Sequence, residues 1–148
     1  MNIYVASSWR NEIQQDVVGY LRENGYEVYD FKNPKPGDNG FRWSEIDPEW
    51  KNWTPVQFRS GLDHPIAAQG FGQDMAALDK CDICVLVLPC GRSAHLEAGY
   101  AMGAGKPVII YIPGDSVDIE PELMYKITPF ICIDIEEVVS LLRLMNQI

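Results

Sequence analysis

Residues 81–112 read CDICVLVLPCGRSAHLEAGYAMGAGKPVIIYI, and the fold turns on how this stretch is parsed. Residues 83–88 form a short, unbroken run of Val, Ile, Leu and Cys, the composition of a strand buried on both faces of a parallel sheet. The run stops at Pro89, and a short loop comes next, Cys90-Gly91-Arg92-Ser93. Residues 94–103 are small and apolar, as in a closely packed helix, and Gly105-Lys106-Pro107 supplies its stop. Residues 108–112 form a second buried strand. The unit is a βαβ crossover, which binds ligands at the carboxyl end of its strand, beside the helix N-terminus. Glu97 is expected in the first turn of that helix, facing the mouth of the sheet.

Working outward, residues 2–6 (NIYVA) open the chain as an apolar strand, and Ser7-Ser8 offers hydroxyl caps for the next helix. Residues 12–24 carry Ile13, Val17, Val18, Tyr20 and Leu21 near helical spacing and end at Asn24-Gly25. Residues 26–31 (YEVYDF) alternate as a second strand. Residues 65–80 hold a helix expected to start near Phe71, because Gly70 and Gly72 weaken the turns before it. Its core face is read as Met75, Leu78 and Ala76. Residues 121–126 suggest a short helix, residues 130–133 a last buried strand, and Asp134 the cap of a final helix through Leu144. The expected fold is an α/β, flavodoxin-like or Rossmann-like three-layer sandwich with about five mostly parallel strands.

Residues 32–64 break this rhythm. The run from Asn33 to Gly40 is dense in turn formers, and Trp43, Trp50 and Trp53 come after it with Phe41 and Phe58 nearby. Asp47-Pro48-Glu49 and Thr54-Pro55-Val56-Gln57 both look like helix starts with proline at the first position. The segment reads as an insertion in a single 1–148 domain, serving as a lid over the site or as an aromatic satellite core or subunit interface.

At 148 residues, with 47% hydrophobic and 22% charged residues, the chain is globular and long enough for a substantial core. A net charge of −9 without a basic run argues against a nucleic-acid duplex and for a small-molecule partner. No apolar run approaches the roughly 20 residues of a membrane span. Met1 leads straight into a strand-like segment without a signal peptide, so the expectation is a soluble cytoplasmic protein. Cys81 and Cys84 form a C-x-x-C, but no second pair occurs at zinc-like spacing and His64 and His95 are the only histidines. Buried, reduced thiols and no metal are expected. Cys90, beside Arg92, is the one candidate for a stabilised thiolate.

The chain has no G-x-G-x-x-G after its first strand, no P-loop and no G-x-S-x-G elbow. It does have a loop with Gly91, Arg92 and Ser93, then His95 and Glu97. Backbone amides, the Ser93 hydroxyl and the Arg92 guanidinium suit an anion. Glu97 and Asp74 supply two carboxylates, a set that suits glycosyl chemistry: one attacks the anomeric carbon and the other handles the leaving group's proton. The bland alternative is that each carboxylate favours a helix dipole from a solvated face.

Three segments carry a family resemblance. NIYVASS, QDMAALDKCDICVLVL and SAHLEAGYAMGAGKPVI, the last with an E-x-G-x-A-x-x-x-x-K-P-V pattern, resemble the nucleoside 2-deoxyribosyltransferase family, including the related nucleoside 5′-monophosphate N-glycosidases. The resemblance covers about two-thirds of the chain and leaves residues 32–64 without a counterpart. It implies that Glu97 is the nucleophile that forms a covalent glycosyl-enzyme and that Asp74 assists departure of the base. It also implies that Tyr4, Ala6 and Ser7 shape the nucleoside pocket, while Asp82 is structural. Classical transferases carry an aspartate six positions before the nucleophile, where this chain has Gly91. The loop Gly91-Arg92-Ser93 is nearer to the Ser/Gly-rich loop that holds a 5′-phosphate in the monophosphate-cleaving branch, although Arg92 and His95 are not standard there. His95 is read as a phosphate donor, a general acid or an ordinary helix-turn residue.

The resulting expectation is cleavage of the N-glycosidic bond of a nucleoside or nucleoside 5′-monophosphate, with transfer to another base or to water. The base would stack on Trp9 or on the tryptophans of residues 32–64. No cofactor is implied, and the family resemblance implies a homo-oligomer. Two other readings stand beside it: a nucleotide-binding sensor without turnover, and an N-glycosidase acting on NAD.

Overall fold

The computed structural model describes residues 1–147. The chain forms two compact units, residues Met1–Asp30 with Leu78–Ile148, and Phe31–Ala77.

The first unit is built on strands β1 (Asn2–Ala6), β2 (Glu27–Asp30), β3 (Ile83–Val87), β4 (Val108–Tyr111) and β5 (Ile131–Cys132). They make one parallel sheet in the order β2-β1-β3-β4-β5. The five-stranded parallel α/β expectation therefore holds, and the order is that of flavodoxin-like folds. β5 is only two residues long, shorter than the expected 130–133. The alternation of side chains along each strand separates two faces. Ile3, Val5, Ile83, Val85, Val87, Ile109 and Tyr111 pack with Val17, Val18 and Leu21 of α1 (Gln14–Glu23) and with Val138, Val139 and Leu142 of α5 (Ile135–Asn146). The opposite face carries Tyr4, Ala6, Cys84, Leu86, Val108 and Ile110, all buried. It contacts α4 (Arg92–Gly103), whose buried residues Ala94, Ala98 and Ala101 are small enough for close approach to the sheet.

Local signals account for most element ends. Asp134 caps α5, its side chain accepting from the Glu136 amide, as expected. Gly25 and Gly105 take positive φ after α1 and α4, the left-handed stop that costs glycine least. Lys106 comes next, and its Nζ donates to the Leu78, Asp79 and Cys81 carbonyls, holding the end of α3 (Pro65–Lys80). The lysine of the K-P-V signature is thus a helix anchor. Asp82 exchanges two bonds with Asn2, from the Asn2 amide to Oδ2 at 2.6 Å and from its own amide to the Asn2 carbonyl at 2.8 Å. These tie the starts of β1 and β3, at the edge of the sheet away from their carboxyl ends.

Two expectations about helix starts are corrected. Ser7 and Ser8 do not cap α1, which begins after Ile13, where the Asn11 side chain accepts from the Ile13 amide. α3 begins at Pro65, six residues earlier than expected, with the His64 ring Nδ1 accepting from the Ile66 amide. Gly70 sits within α3 because an added Cβ would lie 3.1 Å from Phe41 Cβ; it is there for packing, and tertiary contact outweighs its low helix propensity. Of the expected core face, Leu78 is buried, Met75 is half-buried and Ala76 is exposed.

The second unit is organised on Trp43. Its ring meets Phe41 edge-on at 4.8 Å, Trp53 edge-on at 5.7 Å and Phe58 at 6.1 Å. Trp53 Nε1 donates to Asp47 at 2.7 Å, a bond that, with the Glu49 amide, draws the Asp47 carboxyl below its usual range. α2 (Pro55–Leu62) starts as expected, with a Thr54–Gln57 capping box and Pro55 at its first position. Asp47-Pro48-Glu49 instead makes an Asx-type turn into a single 3-10 turn, Trp50–Asn52. Tryptophan also explains Gly61, whose added Cβ would fall 2.5 Å from the Trp53 ring.

Candidate functional site

The order β2-β1-β3-β4-β5 reverses direction between β1 and β3, and ligands of open parallel sheets lie outside the carboxyl ends of the strands at such a reversal. β1 ends there at Ala6, which is buried, with Ser7 next to it. The Ser7 hydroxyl donates to the Val87 carbonyl at 2.8 Å. Asn11 Nδ2 donates to the Pro89 carbonyl at 3.1 Å. These two side chains, from the β1–α1 connection, hold the end of β3 against the end of β1. Ser7 is among the expected pocket residues, whereas nothing in the sequence points to Asn11. Its role is invisible there because its partner lies 78 residues away.

β3 leads through the cis peptide Leu88–Pro89 and Cys90 to Gly91, the N-cap of α4. Arg92, Ser93 and Gly91 are all exposed, at the open end of the helix. Glu97 lies in the second turn of α4 and not in the first, since the helix already begins at Arg92. That changes its surroundings. The positions 94, 97, 98 and 101 make one stripe of an α-helix, and the other three are the alanines buried against the sheet. Glu97 thus occupies an apolar-stripe position with its Oε2 removed from solvent, which a carboxylate serving the helix dipole from a solvated face would not do. Its charge reaches two thiols. Cys90 is pushed up to about 12, first by burial and then by the Glu97 charge. Cys84, on the face of the sheet beneath α4, is raised well above its ordinary value by burial first, with Glu97 a lesser cause.

The expectation of a stabilised Cys90 thiolate is therefore overturned. Its surroundings favour the neutral thiol because burial and the Glu97 carboxylate both disfavour the thiolate. Cys81, Cys84 and Cys132 are buried free thiols. Among the described residues no group of three His, Cys, Asp or Glu side chains is arranged to hold a metal ion.

His95 has both ring nitrogens engaged. Nδ1 lies 2.7 Å from the Gly91 carbonyl oxygen, and Nε2 lies 2.8 Å from the Tyr125 hydroxyl. Tyr125 belongs to the 3-10 segment Leu123–Ile127, in the region where the sequence suggests a short helix. It also lines a surface cavity of about 590 Å³ with Ile112, Glu122 and Thr128. Burial first, then Cys90 and Glu122, raise the Tyr125 hydroxyl above its ordinary range, so it stays protonated. Nothing local in the sequence links Tyr125 to His95, 30 residues before it.

The remaining expected residues are dispersed. Tyr4 is buried, its ring stacked on Tyr29 at 5.2 Å and its hydroxyl oxygen removed from solvent. Trp9 is 42% exposed, on the connection after β1. Asp74 lies half-buried on α3, within the Phe31–Ala77 unit. No helix among the described residues is long and apolar enough to cross a membrane.

The chain matches no family model and no curated protein. Among solved structures it is similar to the 2-deoxyribosyltransferase of the psychrotolerant bacterium Bacillus psychrosaccharolyticus, at 21% identity with a TM-score of 0.58, covering 93% of this chain and 90% of that one. It is also similar to the CMP N-glycosidase BcmB of Clostridium botulinum, at 16% identity with a TM-score of 0.53, covering 97% of this chain and 99% of that one. Each shares its fold with nearly the whole of this chain.

Proposed function

We propose that the protein cleaves the N-glycosidic bond of a nucleoside or nucleoside 5′-monophosphate and passes the glycosyl group to another base or to water. The observation that carries this reading is Glu97, a carboxylate with one oxygen withdrawn from solvent on the sheet-facing stripe of α4, just beyond the end of β3. A fold shared with a 2-deoxyribosyltransferase and a CMP N-glycosidase supports it. Glu97 attacks C1′ and displaces the base, forming a glycosyl ester. Asp74 supplies the proton that the departing base takes up. Arg92, Ser93 and the amides at the start of α4 receive the 5′-phosphate, and Gly91 leaves room for it. Tyr4, Ala6, Ser7 and Trp9 border the nucleoside. An acceptor base or water then opens the ester and gives its proton to Asp74, regenerating the Glu97 carboxylate and the acid.

The same reading includes assembly with further copies of the chain. Leu96 and Tyr100, one turn apart on α4, are 75% and 44% exposed, the kind of apolar surface a subunit contact covers.

The test is a chromatographic assay of deoxynucleosides, ribonucleosides, their 5′-monophosphates and NAD, each with and without an acceptor base, beside Glu97→Gln. Product that appears only with acceptor establishes transfer, and free base from monophosphates alone establishes hydrolysis. Loss of turnover in Glu97→Gln with retained binding is expected. Unchanged substrates that nevertheless bind would refute the enzyme reading in favour of a nucleotide sensor, and cleavage of NAD alone would redirect it to that glycoside.

A further inference from the structure

His95 is a candidate substrate contact by sequence, but its ring is committed within the protein. The Gly91 carbonyl can only accept, so the proton of the neutral imidazole is on Nδ1. Nε2 is then an acceptor, and the Tyr125 hydroxyl is the donor that fills it. The two ring planes lie nearly parallel, 12° apart, with their centroids at 5.8 Å. The Gly91 carbonyl therefore selects the tautomer, and Tyr125, whose hydroxyl can donate as well as accept, supports it by filling Nε2. The backbone bond from the His95 amide to the same carbonyl is long, at 3.4 Å, so the ring makes the shorter contact.

Holding that carbonyl has a geometric consequence. The Gly91 carbonyl and the Arg92 amide share one planar trans peptide, in which C=O and N–H point in opposite directions. A ring that fixes one fixes the other. Gly91 is in extended conformation at φ −100 and has no side chain, and nothing stands within 4 Å of where its Cβ would be. Its own packing does little to hold the loop, and the His95 ring takes that part.

We infer that His95 and Tyr125 are positioning residues: Tyr125 locks the His95 ring, which orients the Gly91–Arg92 peptide and so the loop that receives the phosphate of the substrate. This rests on the proposed function for its substrate, but its structural half can be read without turnover. The pair joins three segments, the loop after β3, the first turns of α4 and the 3-10 segment Leu123–Ile127.

The experiment has a spectroscopic arm and a kinetic arm. In the first, long-range proton–nitrogen spectra of the imidazole are recorded in alkaline buffer, with His64 replaced by Gln for assignment. The expected wild-type spectrum is the Nδ1-protonated tautomer, unchanged when a nucleoside monophosphate is added. Tyr125→Phe should shift the Nε2 resonance and admit the Nε2-protonated form. A ring protonated on Nε2 in the wild type, or an Nε2 resonance that moves when nucleotide binds, overturns the inference and makes His95 a substrate contact. In the kinetic arm, Tyr125→Phe should raise KM for a 5′-monophosphate about two- to tenfold, the usual worth of one neutral hydrogen bond, with kcat within about twofold. His95→Leu should raise KM further. His95→Asn, whose amide nitrogen reaches the place of Nδ1, should recover much of the loss. Equal defects in His95→Asn and His95→Leu overturn the positioning role. If no compound is turned over, the proposed function falls, and the tautomer spectra still decide the pairing.

Discussion

Cys90 gives the sharpest quantitative handle on the site. A thiol that titrates at about 12, against an ordinary 9.0, holds on the order of a thousandth of the thiolate of a free cysteine in neutral buffer. Only the thiolate attacks an alkylating agent, so native Cys90 should react with iodoacetamide about a thousandfold more slowly than the same peptide in urea. Glu97→Gln removes the second cause of the shift and leaves the first, burial, in place. Cys90 should then react faster than in wild type while remaining far slower than the unfolded peptide. The assay is timed alkylation of the native protein, quenched and read by peptide mapping, which separates Cys90 from Cys81, Cys84 and Cys132. Circular dichroism confirms that each variant is folded. Alkylation of native Cys90 at the unfolded rate would refute the account of its surroundings. An unchanged rate in a folded Glu97→Gln would show that the carboxylate is not near enough to act on the thiol. The shift also links stability to pH. The folded state keeps a proton that the unfolded state releases above 9.0, so this contribution is complete below that pH and is lost as pH rises towards about 12.

Other perturbations test the frame around the site. Lys106→Met removes a cation that donates to three backbone carbonyls and should lower stability by about 1–3 kcal/mol in urea titration. Ser7→Ala leaves the buried Val87 carbonyl short of a donor and should cost about 1 kcal/mol by the same measurement, with a further loss of activity if the β1–β3 crevice is displaced. Gly61→Ala drives a methyl group into the Trp53 ring and should cost about 1–3 kcal/mol, accompanied by a change in tryptophan fluorescence; Gly19→Ala, where nothing lies within 4 Å, should not.

Legibility differs with the range of the interaction. The apolar runs of β3 and β4, the Asp134 cap and the Thr54-Pro55 start are local signals, readable because both partners lie within a few residues. The start of α3 is hidden because Gly70 looks like a helix breaker until Phe41 is known to lie against it. Glu97 stands out in the sequence, but its turn does not, and neither does the reason for its burial. The helix starts two residues earlier than its apolar composition suggests, at the exposed Arg92 and Ser93.

From the sequence alone came the α/β class and the buried parallel strands, since hydrophobic period and turn chemistry are properties of neighbouring residues. Tertiary structure alone decided the strand order, the hold of Ser7 and Asn11 on the end of β3, the rise of the Cys90 thiol and the pairing of His95 with Tyr125. Each of these joins groups that are distant in sequence or depends on solvent excluded by distant segments. Their energies arise only when the chain has closed around them.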